Sequence, residues 1–485
     1  MPIENAEHIP INALPFLKSI GNGYNEDIRT PLFGGVDRQV VADQWWTILS
    51  SVDNLFPELI DLETKQKGKI GPLSIRLPFI DRIPDINSYY TNHSDVEVGL
   101  SEVIGQFVIP GSRLRPLSAR NSALQLPTNS NSGLPLFRKR NQVQEESIAM
   151  AMQNEFYPAL LGWRGQANGT NTPKQRVVWM FPYSLNIAEA RFFRPLHEIL
   201  KNMYPFSAWI TMDKVDRSIT TLIDSSRGEI LSSDFSSYDQ SVFHQQDWFF
   251  DILRMAYQTS YHDEISMLQH WFKNIPLVFS ETQMFTGEHG VPSGSTFTNQ
   301  CDSIVNYLAQ SSSPVATDLI QVQGDDAVIV VDNVDTHLSH LTNLGFDVNI
   351  DKQLISSTMV SYLQRLHHRD YRIGGVCRGV YPTMRALNSL LGQERFYQGW
   401  SSEMVSLRVL AILENTKWHP AFKEFVKFTV EHGDLQLKEN VMSITKDNTV
   451  ISKARTIPGL VPTYNQESDL SGLSSFESVR LIKEL

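Results

Sequence analysis

A chain of 485 residues, 41% hydrophobic and 20% charged, is long enough to enclose a large core and has the composition of a globular protein. No apolar run reaches the roughly 18 residues that a membrane helix needs, and the only cysteines, Cys301 and Cys377, exclude a disulfide framework or Cys-rich zinc site and fit a reducing compartment. The net charge of −11 argues at first against a polyanionic partner, yet residues 111–200 hold 11 Lys plus Arg against 5 Asp plus Glu, a balance of +6 that leaves −17 elsewhere.

In chain order, residues 1–110 carry no recognisable site, and the opening Met-Pro-Ile-Glu-Asn-Ala-Glu lacks the features of a secretory leader. Thr128-Asn-Ser-Asn-Ser132-Gly133-Leu-Pro135 reads as a loop. Lys174-Gln-Arg176-Val-Val-Trp-Met-Phe-Pro182 reads as an exposed basic strand with a buried apolar stretch. Glu229 to Asp234 reads as a strand ending in a carboxylate, followed by a helical segment backed by Val242, Phe243, Phe249, Phe250 and Leu253. In a helix over 297–309, Cys301, Ile304, Val305 and Leu308 fall at i, i+3, i+4 and i+7, so Cys301 is a core residue rather than a nucleophile.

Ile320–Gln323 and Ala327–Val331 read as paired strands, with Gly324-Asp325 turning a tight hairpin and both Asp325 and Asp326 at an exposed tip. A short helix with Leu338, Leu341 and Leu344 precedes Asp347-Val-Asn-Ile-Asp-Lys352. A strand is expected over Val360–Arg365, with His367 and His368 as surface histidines. Pro420, an apolar face of Phe422, Phe425, Val426, Thr429 and Val430, and Gly433 punctuate an amphipathic helix. The stretch from Thr456 is either a mobile tail or a segment folding back towards a cleft. No internal repeat appears, which speaks against a solenoid.

Three of these features form an ordered set: Asp234-Phe-Ser-Ser-Tyr-Asp239, Ser293-Gly-Ser-Thr-Phe-Thr298 and Gly324-Asp325-Asp326. Nucleotidyl transfer is an in-line displacement at an α-phosphate, and two divalent ions roughly 3.5–4 Å apart can stabilise both the attacking and the leaving oxygen. Magnesium favours one or two carboxylates plus phosphate oxygens over a closed protein cage. Asp234 and Asp325 are the candidate bridging carboxylates, with Asp326 beside them.

The ordered set resembles the viral RNA-directed RNA polymerases of the palm type, first those of picobirnaviruses and next those of partitiviruses. The tracts Gly290-Val-Pro-Ser-Gly-Ser-Thr-Phe-Thr298 and Gln323-Gly-Asp-Asp-Ala-Val328 carry this closeness, and matching motifs run from about residue 128 to about 370. The resemblance implies an α+β right hand of fingers, palm and thumb, with an antiparallel palm sheet backed by helices. It implies an extension over 1–110 bridging fingers and thumb, fingers over 111–225 and 266–292, palm over 226–265 and 293–370, a thumb over 371–455 and a tail over 456–485.

By the same resemblance Asp234, Asp325 and Asp326 are metal ligands and Lys352 is the general acid for pyrophosphate. Lys174 and Arg176 grip the triphosphate, which suits the planar fork of Arg. Asp239, Ser293 and Thr298 inspect the ribose, and Gly294 lets their loop shift. Asp302 stands where many relatives have Asn and would repel Asp239 unless a proton, water or cation intervenes. Ser132, Gly133 and Pro135 guide template, and Val360–Arg365 supports the primer end.

The implied cofactor is Mg²⁺, with Mn²⁺ as an alternative. The implied partners are RNA template, nascent RNA and NTPs, with capsid protein a further candidate, and the implied location is the virion interior and host cytoplasm. Two rivals stay open at this point: a reverse transcriptase, whose hairpin usually has an aromatic residue where Gly324 sits, and a non-enzymatic virion structural protein.

Overall fold

The computed structural model describes residues 2–7, 9–91, 113–348, 353–394, 401–433, 436–446 and 475–485, with Ile104, Thr449 and Leu473 singly. Lys352 and residues 456–472 lie outside the described residues.

Two sheets organise the molecule. One has five strands in the order β1-β6-β5-β2-β3, built from β1 (Ile3–Asn5), β2 (Ala159–Gln166), β3 (Lys174–Met180), β5 (Leu277–Val278) and β6 (Gln283–Phe285). The other is antiparallel, in the order β7-β8-β4-β9, with β4 (Glu229–Ser233), β7 (Ala316–Gln323), β8 (Asp326–Val331) and β9 (Leu354–Ser356).

The apolar run of β8 follows from cover on both faces of this second sheet. Ile230, Val328 and Val330 pack on Val215, Ile219 and Leu222 of helix Met212–Ser225. The alternate residues Leu231, Ile329 and Val331 face Tyr307 of helix Thr298–Ser311 and Leu338 of helix Val334–Asn343. A two-residue side-chain period with apolar groups on both faces reads as a continuous hydrophobic string. Helix Thr298–Ser311 is likewise enclosed beyond its Cys301–Leu308 stripe, since Gln300, Asp302, Ser303, Asn306 and Gln310 are also buried.

Four sequence expectations require correction. Asp326 does not share the exposed tip with Asp325 but is half-buried as the first residue of β8. The segment after Asp234 is not one helix: a single turn, Tyr238–Ser241, breaks before helix Gln246–Ala256, and Ser237 adopts φ +50°. Residues 360–365 are not one strand but part of a hairpin of β10 (Met359–Tyr362) and β11 (Arg365–His368), with Leu363 and Gln364 both left-handed at its turn. His367 is not a surface residue: it is fully buried and lies 3.0 Å from Asp216, which is itself 2% exposed at its side chain. Arg365, Leu366 and His367 are all buried, so this part of β11 is covered on both faces.

The N-terminal segments touch both ends of the molecule. β1 pairs with β6 at one end. At the other, Trp45 of helix Arg38–Leu49 shares a core with Leu387, Leu410 and Phe425 of helices Thr383–Leu391, Ser402–Glu414 and Phe422–His432. The C-terminal helix Glu477–Glu484 adds Val479 and Ile482 to that core. Buried Glu63 accepts the backbone N–H of Thr383 (2.5 Å) and of Met384 (2.9 Å), meeting the orphan donors at that helix start.

Candidate active site

Strand register sets the acids side by side. The last pair of β4 and β8 is Ser233 with Ala327, so Asp234 continues the strand beside Asp326, the first residue of β8. Gln323 pairs with Asp326, which leaves Gly324-Asp325 as a two-residue turn, with φ +61° at Gly324 and an exposed Asp325. The backbone of Asp234 is held at both ends by one side chain. Its N–H donates to Gln353 Oε1 (3.2 Å), and Gln353 Nε2 donates to its carbonyl (2.7 Å). On the other side, Ser303 Oγ accepts the N–H of Gly324 at 2.8 Å.

The acids share one negative field. Burial, then the charges of Asp325 and Asp234, push Asp326 up to about 7, against the opposing pull of Arg385 and Arg176. Asp239 is pushed up to about 7 by burial and by Asp325, with Arg176 opposing. Asp302 is raised well above the carboxylate range by burial and by the charges of Asp239 and Asp325. Its Oδ1 is buried with no hydrogen-bond partner. The structure thus places Asp234, Asp239, Asp302, Asp325 and Asp326 within one another's field, which Arg176 of β3 opposes while its Nε donates to Gln166 Oε1 (3.0 Å). Lys174 is exposed at the far end of β3, paired with Gln166.

An excess of clustered carboxylates with one buried oxygen unpartnered is a donor set that suits a hard divalent cation. Among the described residues no three Asp, Glu, His or Cys side chains converge as a ready-made metal cage. Magnesium does not require one, because it takes one or two carboxylates together with water and phosphate oxygens.

Two loops are seated against the end of β3. Ser293 Oγ accepts from Trp179 N (3.3 Å) and donates to the Val177 carbonyl (3.4 Å). Gly294 lies so close to β3 that a Cβ there would stand 1.6 Å from the Trp179 carbonyl oxygen. Gly133 has φ +64°, and a Cβ there would stand 2.5 Å from the Phe181 carbonyl oxygen. Ser132 is buried, its carbonyl accepts from Tyr183 N (2.8 Å), and Pro135 is half-buried two residues beyond Gly133.

Helix Tyr183–Leu200 holds the second loop from behind. Asn186 Nδ2 donates to the Gly294 carbonyl (3.1 Å), while Glu189 accepts from Ser295 Oγ and Thr296 N, each at 2.7 Å. Thr298 Oγ1 donates to the Pro292 carbonyl (2.7 Å) and closes the loop on itself. Asn186, Glu189, Gln353, Ser303 and Arg385 all escape motif reading, because each acts through a contact distant in sequence.

Comparison with known proteins agrees with this geometry. The family model for viral RNA-dependent RNA polymerase matches residues 149–376. A potential RNA-dependent RNA polymerase of human picobirnavirus is 33% identical over 457 residues, covering 86% of this chain and 84% of that protein. An RNA-directed RNA polymerase of Cryptosporidium parvum virus 1 is 26% identical over 283 residues, covering 50% of this chain and 52% of the other. The crystal structure of the RNA-dependent RNA polymerase of a human picobirnavirus superposes with a TM-score of 0.88 at 30% identity, covering 99% of this chain and 98% of that one. Divalent metals are general to these enzymes, and RNA template and NTPs are their substrates. With the acids of β4 and the β7–β8 turn gathered in one place and near-complete coverage of a solved relative, the chain belongs to the viral RNA-dependent RNA polymerases, as an RNA-directed RNA polymerase of the double-stranded RNA virus kind with an α+β fold.

Proposed function

We propose that Asp234 and Asp325, with Asp326 beside them, hold two Mg²⁺ ions, or Mn²⁺ in their place, at the centre of the polymerase. When bound, such ions stabilise the attacking 3′-oxygen and the leaving oxygen of pyrophosphate. The observation that carries this reading is the register that sets Asp234 beside Asp326 at the β7–β8 turn, with Asp239 and Asp302 near enough to share their field and Arg176 as an opposing charge. Asp325, exposed at the turn, is the carboxylate best placed to share a cation with an incoming phosphate.

The remaining roles are proposed from the family's motifs. Arg176 and Lys174 bind the triphosphate as cations on β3. Asp239 and Asp302, with Ser293 and Thr298, read the ribose. Ser293 is engaged with the β3 backbone, so it must turn away from Val177 to reach a sugar, and Gly294 supplies the freedom for that shift. Ser132, Gly133 and Pro135 steer template across the other side of β3. Lys352 protonates pyrophosphate.

The division into fingers (111–225 and 266–292), palm (226–265 and 293–370), thumb (371–455), bridging extension (1–110) and tail (456–485) is supported by β1 pairing with β6 and by the core that Trp45 shares with Phe425. Capsid protein is the proposed further partner, and the virion interior and host cytoplasm are the proposed sites of action. No described helix is long and apolar enough to cross a membrane.

The test is extension of a short RNA with labelled NTPs and Mg²⁺, read on a gel. Asp325→Asn is expected to abolish incorporation while RNA affinity changes by less than about twofold. Wild-type activity of that variant would overturn the metal assignment.

A further inference from the structure

The turn that carries Asp325 has an internal support that no sequence motif marks. Asn306, on helix Thr298–Ser311, donates from Nδ2 to the carbonyl of Gly324 (2.9 Å) and to that of Asp325 (3.0 Å). Both amide hydrogens of one side chain are therefore used on two successive peptide carbonyls. The Asn306 Oδ1 in turn accepts from Gln310 Nε2 at 3.2 Å. Gln310 Oε1 accepts from His337 Nε2 at 2.6 Å, which requires the tautomer with the proton on Nε2. Asn306, Gln310 and His337 are each fully buried.

The chain of bonds runs from helix Val334–Asn343, through the core, to the back of the turn. Its residues recur on one helix face, since Asn306 and Gln310 lie at i and i+4, and Ser303 one turn earlier holds the N–H of Gly324 at 2.8 Å. Burial lowers the His337 imidazole to about 4, so it stays neutral and keeps a fixed donor towards Gln310.

The turn needs such support. Asp325, Asp326 and Asp234 repel one another, and the Gly324 hinge at φ +61° offers little resistance to rotation of the next peptide. Two hydrogen bonds to its carbonyls oppose that rotation, and the buried polar chain behind them is stiff because breaking any link strands a polar group.

We propose that Asn306 is a positioning residue for polymerisation, and that the His337–Gln310–Asn306 chain sets the orientation of the Gly324–Asp325 peptide and hence the direction in which Asp325 presents its carboxylate. The proposal rests on the reading of Asp325 as a metal-binding acid. Asn306 touches neither substrate nor metal and acts only through the turn.

The experiment compares full-length wild type with Asn306→Leu, Gln310→Met and the double variant. For each, kcat, the KM for NTP, RNA affinity, the Mg²⁺ concentration giving half-maximal rate and the melting temperature are measured. Asn306→Leu is expected to lower kcat at least about tenfold, a change of about 1.4 kcal/mol in the barrier, and to raise the Mg²⁺ midpoint severalfold while KM and RNA affinity move less than about twofold. Gln310→Met is expected to give a smaller shift in the same direction, about threefold in kcat, and the double variant to match Asn306→Leu because Gln310 acts through Asn306.

A role confined to stability would lower the melting temperature and leave the Mg²⁺ midpoint of the folded enzyme unmoved. That outcome, or an unchanged kcat in either single variant, overturns the proposal. Asp325→Asn run alongside separates the two readings. If Asp325→Asn is inactive and Asn306→Leu is normal, only the positioning role fails; if Asp325→Asn is fully active, the metal assignment fails first.

Discussion

At the scale of single residues, the site depends on charges held where water would not leave them. Glu189 is one such case: burial raises it from an ordinary 4.5 to about 7, although Ser295 Oγ and Thr296 N donate to it. Below 4.5 both folded and unfolded chains keep the proton. Between 4.5 and 7 the unfolded chain ionises while the folded one does not, so stability falls as pH rises, and the loss levels off above 7. A shift of this size corresponds to about 3 kcal/mol at full ionisation. Glu189→Gln, which cannot ionise, is expected to melt progressively higher relative to wild type as the buffer moves from pH 5 to 8. A melting difference independent of pH would contradict the assignment. Motif reading passes over Glu189 because nothing in Ala188-Glu189-Ala190 announces that its partners are more than a hundred residues away.

At the scale of elements, period and punctuation carry a long way. The β7–β8 hairpin, the buried stripe of helix Thr298–Ser311 and the amphipathic helix ending near Gly433 were legible, because each is governed by neighbours in sequence. The β10–β11 hairpin was not, because Leu363 and Gln364 adopt left-handed conformations without Gly or Asn to signal it. His367 was misassigned for a different reason: its partner in the core, Asp216 of helix Met212–Ser225, is distant in sequence. Asp216 also accepts from Gly379 N (3.1 Å) and from Arg378 Nη1 (3.3 Å). Removing one member of a buried, hydrogen-bonded set costs about 3–5 kcal/mol. Asp216→Ala is therefore expected to destabilise by about 3 kcal/mol in denaturant titration. A change below about 1 kcal/mol, the scale of an exposed pair, would remove this cluster as an anchor of the hairpin.

At the scale of the whole molecule, a net charge of −11 is reconciled with an RNA substrate by placement. Lys139 and Arg138 are exposed beside the Ser132-Gly133 loop, and Arg176 faces the acids from β3. Binding to single strands releases counterions with a slope of about 0.7 per phosphate neutralised. Lys139→Ala is expected to weaken RNA binding and to flatten the plot of log affinity against log salt by about 0.7, measured by anisotropy across a salt series. An unchanged slope would show that Lys139 meets no phosphate.

What the amino-acid order determined alone was chemistry and local shape. Asp234, Asp325 and Asp326 stand out as candidates because acids in this order answer the needs of a metal ion, Asp239, Ser293 and Thr298 stand out through the family resemblance, and the hairpin and helices follow from turn chemistry and apolar period. Only the tertiary structure decided which side chains hold these groups in place. Asn306 under the turn, Gln353 on the backbone of Asp234, Glu189 behind the Ser293–Thr298 loop and Glu63 at the start of helix Thr383–Leu391 all act across long sequence separations. Hydrogen bonds and buried charges are set by distance in space, which packing of the whole chain establishes and local order does not encode.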